Sequence, residues 1–270
     1  MYLPLAAVVT LTVLGAWSLW TVLAARFAKG RPPWLNAAPG VLAALAALAL
    51  GWRTLARNED YRSPETIWQK VLDCKPDNPR AHTSIGNIRL RSGRVDEAID
   101  HYREALRIAP GYSDVENNWG AALAGQGNLP EAIWHYQRAA AIDPDDADLQ
   151  RNWGDALTGT EHFGEAIGHY RRAVELNPRD AAAYGNWGKA LLCLGRFDEA
   201  AAQCRQALQI WPDYPEAHAN LGITLARLGQ LREAAAHFRR ALALKPDLPG
   251  LRGNLRSVEA AIRQSPTPSP

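Results

Sequence analysis

Groupings of residues that could carry out catalysis are missing from this sequence. Its 270 residues hold no Ser/His/Asp arrangement, no glycine-rich loop of the kind that cradles phosphate, and no His/Cys spacing suited to a metal ion. Cysteine is scarce: Cys74, Cys193 and Cys204 make neither a CxxC pair nor a disulfide framework, though a Cys193–Cys204 bridge is left open. A net charge of +2 argues on its own neither for nor against a nucleic-acid partner. Charge is missing altogether from residues 1–25, whereas the rest of the chain is amphipathic.

That uncharged stretch has a direct reading. Residues 3–25, LPLAAVVTLTVLGAWSLWTVLAA, are interrupted only by Thr and Ser and exceed the roughly 20 residues needed to cross a bilayer. A signal peptide fits poorly, because there is no basic leader and the apolar run is too long. A second, alanine-rich stretch at about 34–55 lies between Trp34 and Trp52, which suit the interfacial belt. Between the two runs, Arg26, Lys29 and Arg31 stand without an acid, so the loop 26–33 is expected on the cytoplasmic side and both termini opposite. Residues 1–58 are therefore read as a two-helix membrane anchor, with the remainder extracytoplasmic, as in a bacterial inner-membrane protein.

What the sequence has in abundance is a period. Pro76, Pro110, Pro144, Pro178, Pro212 and Pro246 stand 34 residues apart. Gly86, Gly120, Gly154, Gly188 and Gly222 keep the same step, as do Ala98, Ala132, Ala166, Ala200 and Ala234, and again Ala105, Ala139, Ala173, Ala207 and Ala241. Small residues let two helices approach to about 8–10 Å, and a proline ends the second helix by lacking an N–H and restricting its predecessor. The period resembles that of the tetratricopeptide repeat. This resemblance implies an all-α fold, in which N-terminal transmembrane helices lead into a right-handed α-solenoid with repeats at 79–112, 113–146, 147–180, 181–214 and 215–248. Residues 59–78 read as a half-repeat junction opened by Ser63, Pro64 and Glu65. A capping helix is expected at 249–263, with Arg256 at the glycine position, and a disordered Pro/Ser tail at 264–270.

One polar series stands out. Asn118, Asn152, Asn186 and Asn220, continuing at Asn254, sit two residues before the periodic glycine position, with Ser84 in the first repeat. A primary amide both donates to and accepts from a peptide bond, so a row of them can hold an extended chain by its backbone. The competing reading is packing between repeats. The series resembles the asparagine ladder in the repeat domain of O-linked N-acetylglucosamine transferase. Other series have blander readings. Trp119, Trp153 and Trp187 read as core, and His101, His135, His169 and His237 as surface residues too far apart to share a metal. Glu97, Glu131, Glu165, Glu199 and Glu233 complement helix dipoles. Arg103, Arg171, Arg172, Arg205, Arg239 and Arg240 are interrupted by acids and read as a solvated face, with no nucleic-acid partner.

Two segments carry a narrower likeness. MYLPLAAV at the start, and WRTLARNEDYRSPETIW at 52–68, resemble segments of multispanning GT-C-type O-mannosyltransferases with C-terminal tetratricopeptide repeats. Arg57, Asn58, Tyr61, Glu65 and Trp68 are the matching positions in the second. The resemblance implies the C-terminal part of such a transferase, with Met1 internal to a longer frame, a Glu-Arg pair before it, and the catalytic part upstream. The chain as given is then no enzyme and needs no cofactor. It would hold a protein or extended peptide in its groove while contacting the bilayer through two helices. The alternative is a free-standing membrane-anchored scaffold for an envelope assembly.

Overall fold

A computed structural model describes residues 63–264 together with Gly15, Ser18, Leu45, Ala46, Leu48, Ala49 and Trp52, all seven helical. The two expected membrane spans, the loop between them and the C-terminal tail beyond Gln264 otherwise lie outside the described residues. Among the described residues, no helix is long and apolar enough to cross a membrane.

The chain divides into two units, Met1–Ala81 and His82–Pro270. In the first lies α1 (Pro64–Cys74), opened by a capping box: Ser63 Oγ accepts from the Thr66 N–H at 3.2 Å, and Thr66 Oγ1 accepts from the Ser63 N–H at 3.3 Å. The helix that follows, α2 (Pro79–Arg91), begins in the first unit and continues into the second.

The second unit is a run of helical hairpins, with no strand among the described residues. Its helices are α3 (Val95–Ile108), α4 (Ser113–Gly125), α5 (Leu129–Ile142), α6 (Ala147–Gly159), α7 (Phe163–Leu176) and α8 (Ala181–Cys193). They continue with α9 (Phe197–Ile210), α10 (Pro215–Arg227), α11 (Leu231–Leu244) and α12 (Leu251–Gln264).

The prolines act as sequence chemistry dictates. Each of α3, α5, α7, α9 and α11 stops two residues before its proline, and the residue between is forced into extended backbone. That residue's N–H still closes the helix, donating to the carbonyl of Ala105, Ala139, Ala173, Ala207 or Ala241. Both alanine series are wholly buried. At the far end, α12 buries Leu251 and Val258 against the last hairpin and turns Arg252, Asn254 and Arg256 to solvent. An apolar inner edge with a polar outer face is what a terminal repeat requires.

One further series sets the turn inside each hairpin. Gly93, Gly127, Gly195 and Gly229 adopt φ of 77°, 83°, 74° and 77°, and Glu161 holds the equivalent place in the third repeat at φ 64°. A side chain in the left-handed region costs about 1–2 kcal/mol, while glycine's extra unfolded freedom costs about 0.5–1 kcal/mol. Glu161→Gly is therefore expected to raise Tm by about 1–4 °C, and Gly127→Ala to lower it. Calorimetric melting of the two variants checks both signs; a lowered Tm for Glu161→Gly would show that this turn is not strained.

Candidate functional site

The first helices of successive repeats, α4, α6, α8 and α10, carry the asparagine series in one register. Asn118, Asn152, Asn186 and Asn220 are all half-buried, and Asn254 on α12 is exposed. Their amides are not equivalent. Asn152 Nδ2 donates to Asn117 Oδ1 on the preceding first helix at 3.1 Å, and Asn186 Nδ2 donates to Asp155 Oδ1 at 2.7 Å. Among the described residues, the side chains of Asn118 and Asn220 make no such bond. Two amides thus tie neighbouring repeats together, as the packing reading has it, and two make no side-chain hydrogen bond among the described residues.

The centre of this face is a pocket of about 310 Å³ lined by Ala121, Ala124, Leu129, Tyr136, Asn152, Asp155 and Ala156. Asp155, open to water along one edge, also accepts from Tyr170 Oη at 2.7 Å. Surrounding protein raises its carboxyl above the ordinary carboxylate range, against the opposing donation from Tyr170 and Asn186. Arg151 adds another tie between repeats, reaching Asp180 Oδ2 at 2.8 Å, while Asp180 Oδ1 caps α8 through the Ala183 N–H.

Behind this face runs a buried polar layer that corrects the surface reading of the histidines. His135 is 2% exposed, and His101, His169 and His237 are half-buried. Each meets a partner nineteen residues earlier, on the first helix of its own hairpin: His82, Glu116, Gln150 and His218 respectively. The physical reason is that this position of the second helix faces back into its hairpin rather than outward. Glu116, fully buried, accepts from His135 Nδ1 at 2.7 Å and pairs with Arg138 at 2.6 Å. Gln150 Nε2 donates to Pro144 O at 2.9 Å, so its Oε1 must accept from the Nδ1–H of His169 at 2.8 Å.

The tryptophans complete the layer. Trp119 stacks on His135 at 4.3 Å and Trp153 on His169 at 4.0 Å between ring centroids. The indole N–H groups of Trp119, Trp153 and Trp187 are buried without a protein acceptor among the described residues. The glutamates read as dipole partners occupy the first turns of α3, α5, α7, α9 and α11. Arg103 and Arg239 pair at 2.6 Å with Asp100 and Glu259, and Arg172 and Arg240 pair with Asp145 and Asp213.

Burial holds His101, His169 and His237 below the usual histidine value of 6.5. Their unfolded forms therefore bind protons at a higher pH than their folded forms. The stability they contribute is complete above pH 6.5 and is lost as pH falls from there toward the lowered folded values. Thermal melting from pH 8 to pH 5 is expected to show Tm falling below about pH 6.5, with a flatter profile in a His101→Gln, His169→Gln, His237→Gln variant. An identical profile in that variant would assign the acid sensitivity elsewhere.

Comparisons with known proteins agree with this architecture. Tetratricopeptide repeat models match residues 42–113 and 179–247, and a TPR repeat model matches 120–160. Protein O-mannosyl-transferase TMTC1 of Homo sapiens is 33% identical over 91 residues, which is 32% of this chain and 10% of that protein. Tmtc2 of Drosophila melanogaster is 36% identical over 74 residues, 27% of this chain and 8% of that protein. The chain thus spans about a tenth of the length of the curated relatives it matches. Among solved structures, YrrB, described as a TPR protein with an unusual peptide-binding site, aligns with a TM-score of 0.59 at 22% identity, covering 71% of this chain and 97% of its own. The Cut9–Hcn1 hetero-tetramer of APC/C gives 0.65 at 20% identity, covering 78% and 42%. These structural likenesses speak for the fold alone. The chain is a tetratricopeptide-repeat protein, an interaction module whose repeats are similar to those of the O-mannosyl-transferases.

Proposed function

We propose that the asparagine face holds an extended segment of a partner protein by its backbone, and that the chain is the acceptor-binding part of a membrane protein related to O-glycosyltransferases. The observation that carries this reading is the common register of Asn118, Asn152, Asn186 and Asn220 on successive first helices, beside a pocket between the second and third repeats. Peptide groups repeat along an extended chain regardless of side chain, so an amide in each repeat suits many sequences. Sugar transfer itself is assigned to residues outside this chain.

The different bonding of the four amides sharpens the test. Asn118→Ala with Asn220→Ala should weaken binding of unrelated extended peptides together while leaving Tm unchanged. Each lost neutral hydrogen bond is worth about 0.5–1.5 kcal/mol, so the pair should cost about 5- to 150-fold in Kd. Asn152→Ala and Asn186→Ala should lower both affinity and Tm, because each also cuts a tie between repeats. Peptide titrations and melting curves on all four variants decide it; unchanged affinity in the stable double variant would remove the amides from recognition.

Membrane anchoring by residues 3–25 and 34–55 belongs to the same proposal. Its support is the charge-free first run and the basic loop at Arg26, Lys29 and Arg31. Leu45, Leu48 and Trp52, at 56%, 69% and 77% exposure, add apolar surface in a helical stretch. In bacterial expression, a reporter that functions only outside the cytoplasm should be active when fused after Pro270, and the chain should resist alkaline extraction from membranes. Activity confined to a cytoplasmic reporter would reverse the topology, and full extraction would remove the anchor.

A further inference from the structure

A tyrosine fills the hairpin from the second helix in each of the first three repeats, and its hydroxyl is treated differently in one of them. Tyr102 Oη donates to Asn87 Oδ1 and Tyr170 Oη to Asp155 Oδ1, both at 2.7 Å. Each acceptor stands fifteen residues earlier, on the first helix of the same hairpin. In the second repeat that place is Ala121, whose side chain can accept nothing. Tyr136 is 1% exposed, and its hydroxyl makes no hydrogen bond among the described residues. A buried hydroxyl is costly to leave unpaired, and this tyrosine lines the pocket of about 310 Å³ on the asparagine face.

The other polar groups of the pocket are Asn152 and Asp155. Asp155 uses one oxygen inside the protein: its Oδ1 accepts from both Tyr170 Oη and Asn186 Nδ2. Among the described residues no donor reaches its Oδ2. Asn152 commits an N–H to Asn117 and keeps its own carbonyl oxygen to accept. A carboxylate oxygen, an amide oxygen and a phenol oxygen thus converge on one space, and what suits them is a group rich in N–H donors.

Charge points the same way. Burial, ahead of the bonds from Tyr170 and Asn186, raises the Asp155 carboxyl above its ordinary range, so its negative charge is not fully compensated. The cation acting on it, Arg151, is itself held by Asp148 at 2.9 Å and Asp180 at 2.8 Å. Three carboxylates therefore act on one guanidinium, which leaves the balance in favour of a further positive charge. The remaining walls, Ala121, Ala124, Leu129 and Ala156, are apolar, as the methylene stem of a long basic side chain requires.

Given the proposed grip of the asparagine face on an extended chain, on which this inference rests, we propose that the pocket takes a lysine or arginine side chain of that chain. Its ammonium or guanidinium donates to Asp155 Oδ2 and Tyr136 Oη, and its stem lies on Ala121, Leu129 and Ala156. The two polar groups are near enough for the charge of Asp155 to act on Tyr136. Where the amides accept any sequence, this pocket selects one residue of it.

Peptides with blocked ends test the selection: an alanine- and serine-based sequence carrying one central Arg, and the same sequence with Lys, Gln or Glu there. A single distinctive residue lets each chain slide into register. Titration of the purified full chain should show the Arg and Lys peptides binding about 10- to 100-fold tighter than the Gln peptide, with Glu weakest. Asp155→Asn keeps an oxygen for Tyr170 and Asn186, and it should bring the basic peptides down to the level of Gln. Ala121→Asn should do the same by filling the space and giving Tyr136 the partner that Asn87 gives Tyr102. Asp198→Asn, which removes an equal charge from the exposed first turn of α9, should leave the ranking intact. Melting curves check that each variant is folded. Equal binding of the Arg and Gln peptides by the parent, or an unchanged ranking in folded Asp155→Asn, would overturn the basic pocket and leave the amides standing. In the Asn118→Ala, Asn220→Ala variant all affinities should fall with the ranking preserved; a preserved ranking with no fall would support the pocket and count against the amides alone. Binding of none of the peptides would overturn both.

Discussion

Every repeat depends on the meeting of a glycine on its first helix with the side chain that fills its hairpin from the second. A Cβ added at Gly120 would lie 2.6 Å from the Tyr136 ring and 3.1 Å from Ala132 O, and one at Gly222 would lie 2.6 Å from Phe238 and 3.2 Å from Ala234 O. A ring can turn aside, but a backbone carbonyl inside a helix cannot. In the second, fourth and fifth repeats the alanine carbonyl, 3.1–3.2 Å from such a Cβ, would have to give by a few tenths of an ångström and so favours glycine there, and the bare alanine side chain lets that carbonyl come so close. The fourth repeat keeps the approach with a different filler: Cys204 Sγ stands 2.5 Å from where a Cβ of Gly188 would be. Burial pushes the Cys204 thiol up to about 12, so it packs there as an inert apolar group.

That close approach has a consequence for the polar layer. With the hairpin drawn together at the glycine, the fourth residue of each repeat lies opposite the residue nineteen further on, and whatever occupies these two places is at least half-buried. The repeats answer differently: a carboxyl group and imidazole at Glu116 and His135, an amide and imidazole at Gln150 and His169, and paired imidazoles in the first and fifth. A buried ion pair recovers little of its desolvation cost unless all its lone pairs are used. Glu116 meets it only in part: one oxygen accepts from His135, while the other lies 2.6 Å from the Arg138 guanidinium without hydrogen-bond geometry. In two repeats the layer also reaches the periodic proline, whose carbonyl accepts from Gln150 or His218. One carbonyl left free by the helix-ending proline is thereby satisfied by the next repeat.

The helical period was open to reading because its markers act through local rules. A proline ends a helix and a glycine marks a crossing wherever they recur, so the architecture emerged from spacing alone. The histidine layer was not open in the same way. Its partners lie on two different helices, and the first-helix partner changes identity from His82 to Glu116 to Gln150, so no residue type repeats to draw attention to it. The recurrence of one nineteen-residue offset at His82 with His101 and at His218 with His237 was the available signal. Glu161 escaped for the opposite reason: a series of turn glycines becomes informative only when their positive φ is known, and its one exception is then visible.

On the proposed reading of the asparagine row, a solenoid's stability and its binding face share residues. In a stack of repeats each unit contacts only its neighbours, so the relative placement of two first helices rests on few interactions. Asn152 to Asn117, Asn186 to Asp155 and Arg151 to Asp180 supply three of them around the third repeat. Each crosses from one first helix to the next region of the stack on the side where a partner would lie. Fixing that spacing before a partner arrives reduces the ordering cost of association. The donated N–H of Asn152 or Asn186 is used in this bracing, while its carbonyl oxygen retains accepting capacity. In the middle of the row each amide keeps its second N–H beside its oxygen, one donor fewer than Asn118 and Asn220, so a backbone laid along the row would find fewer donors for its carbonyl groups at the centre than at the flanks.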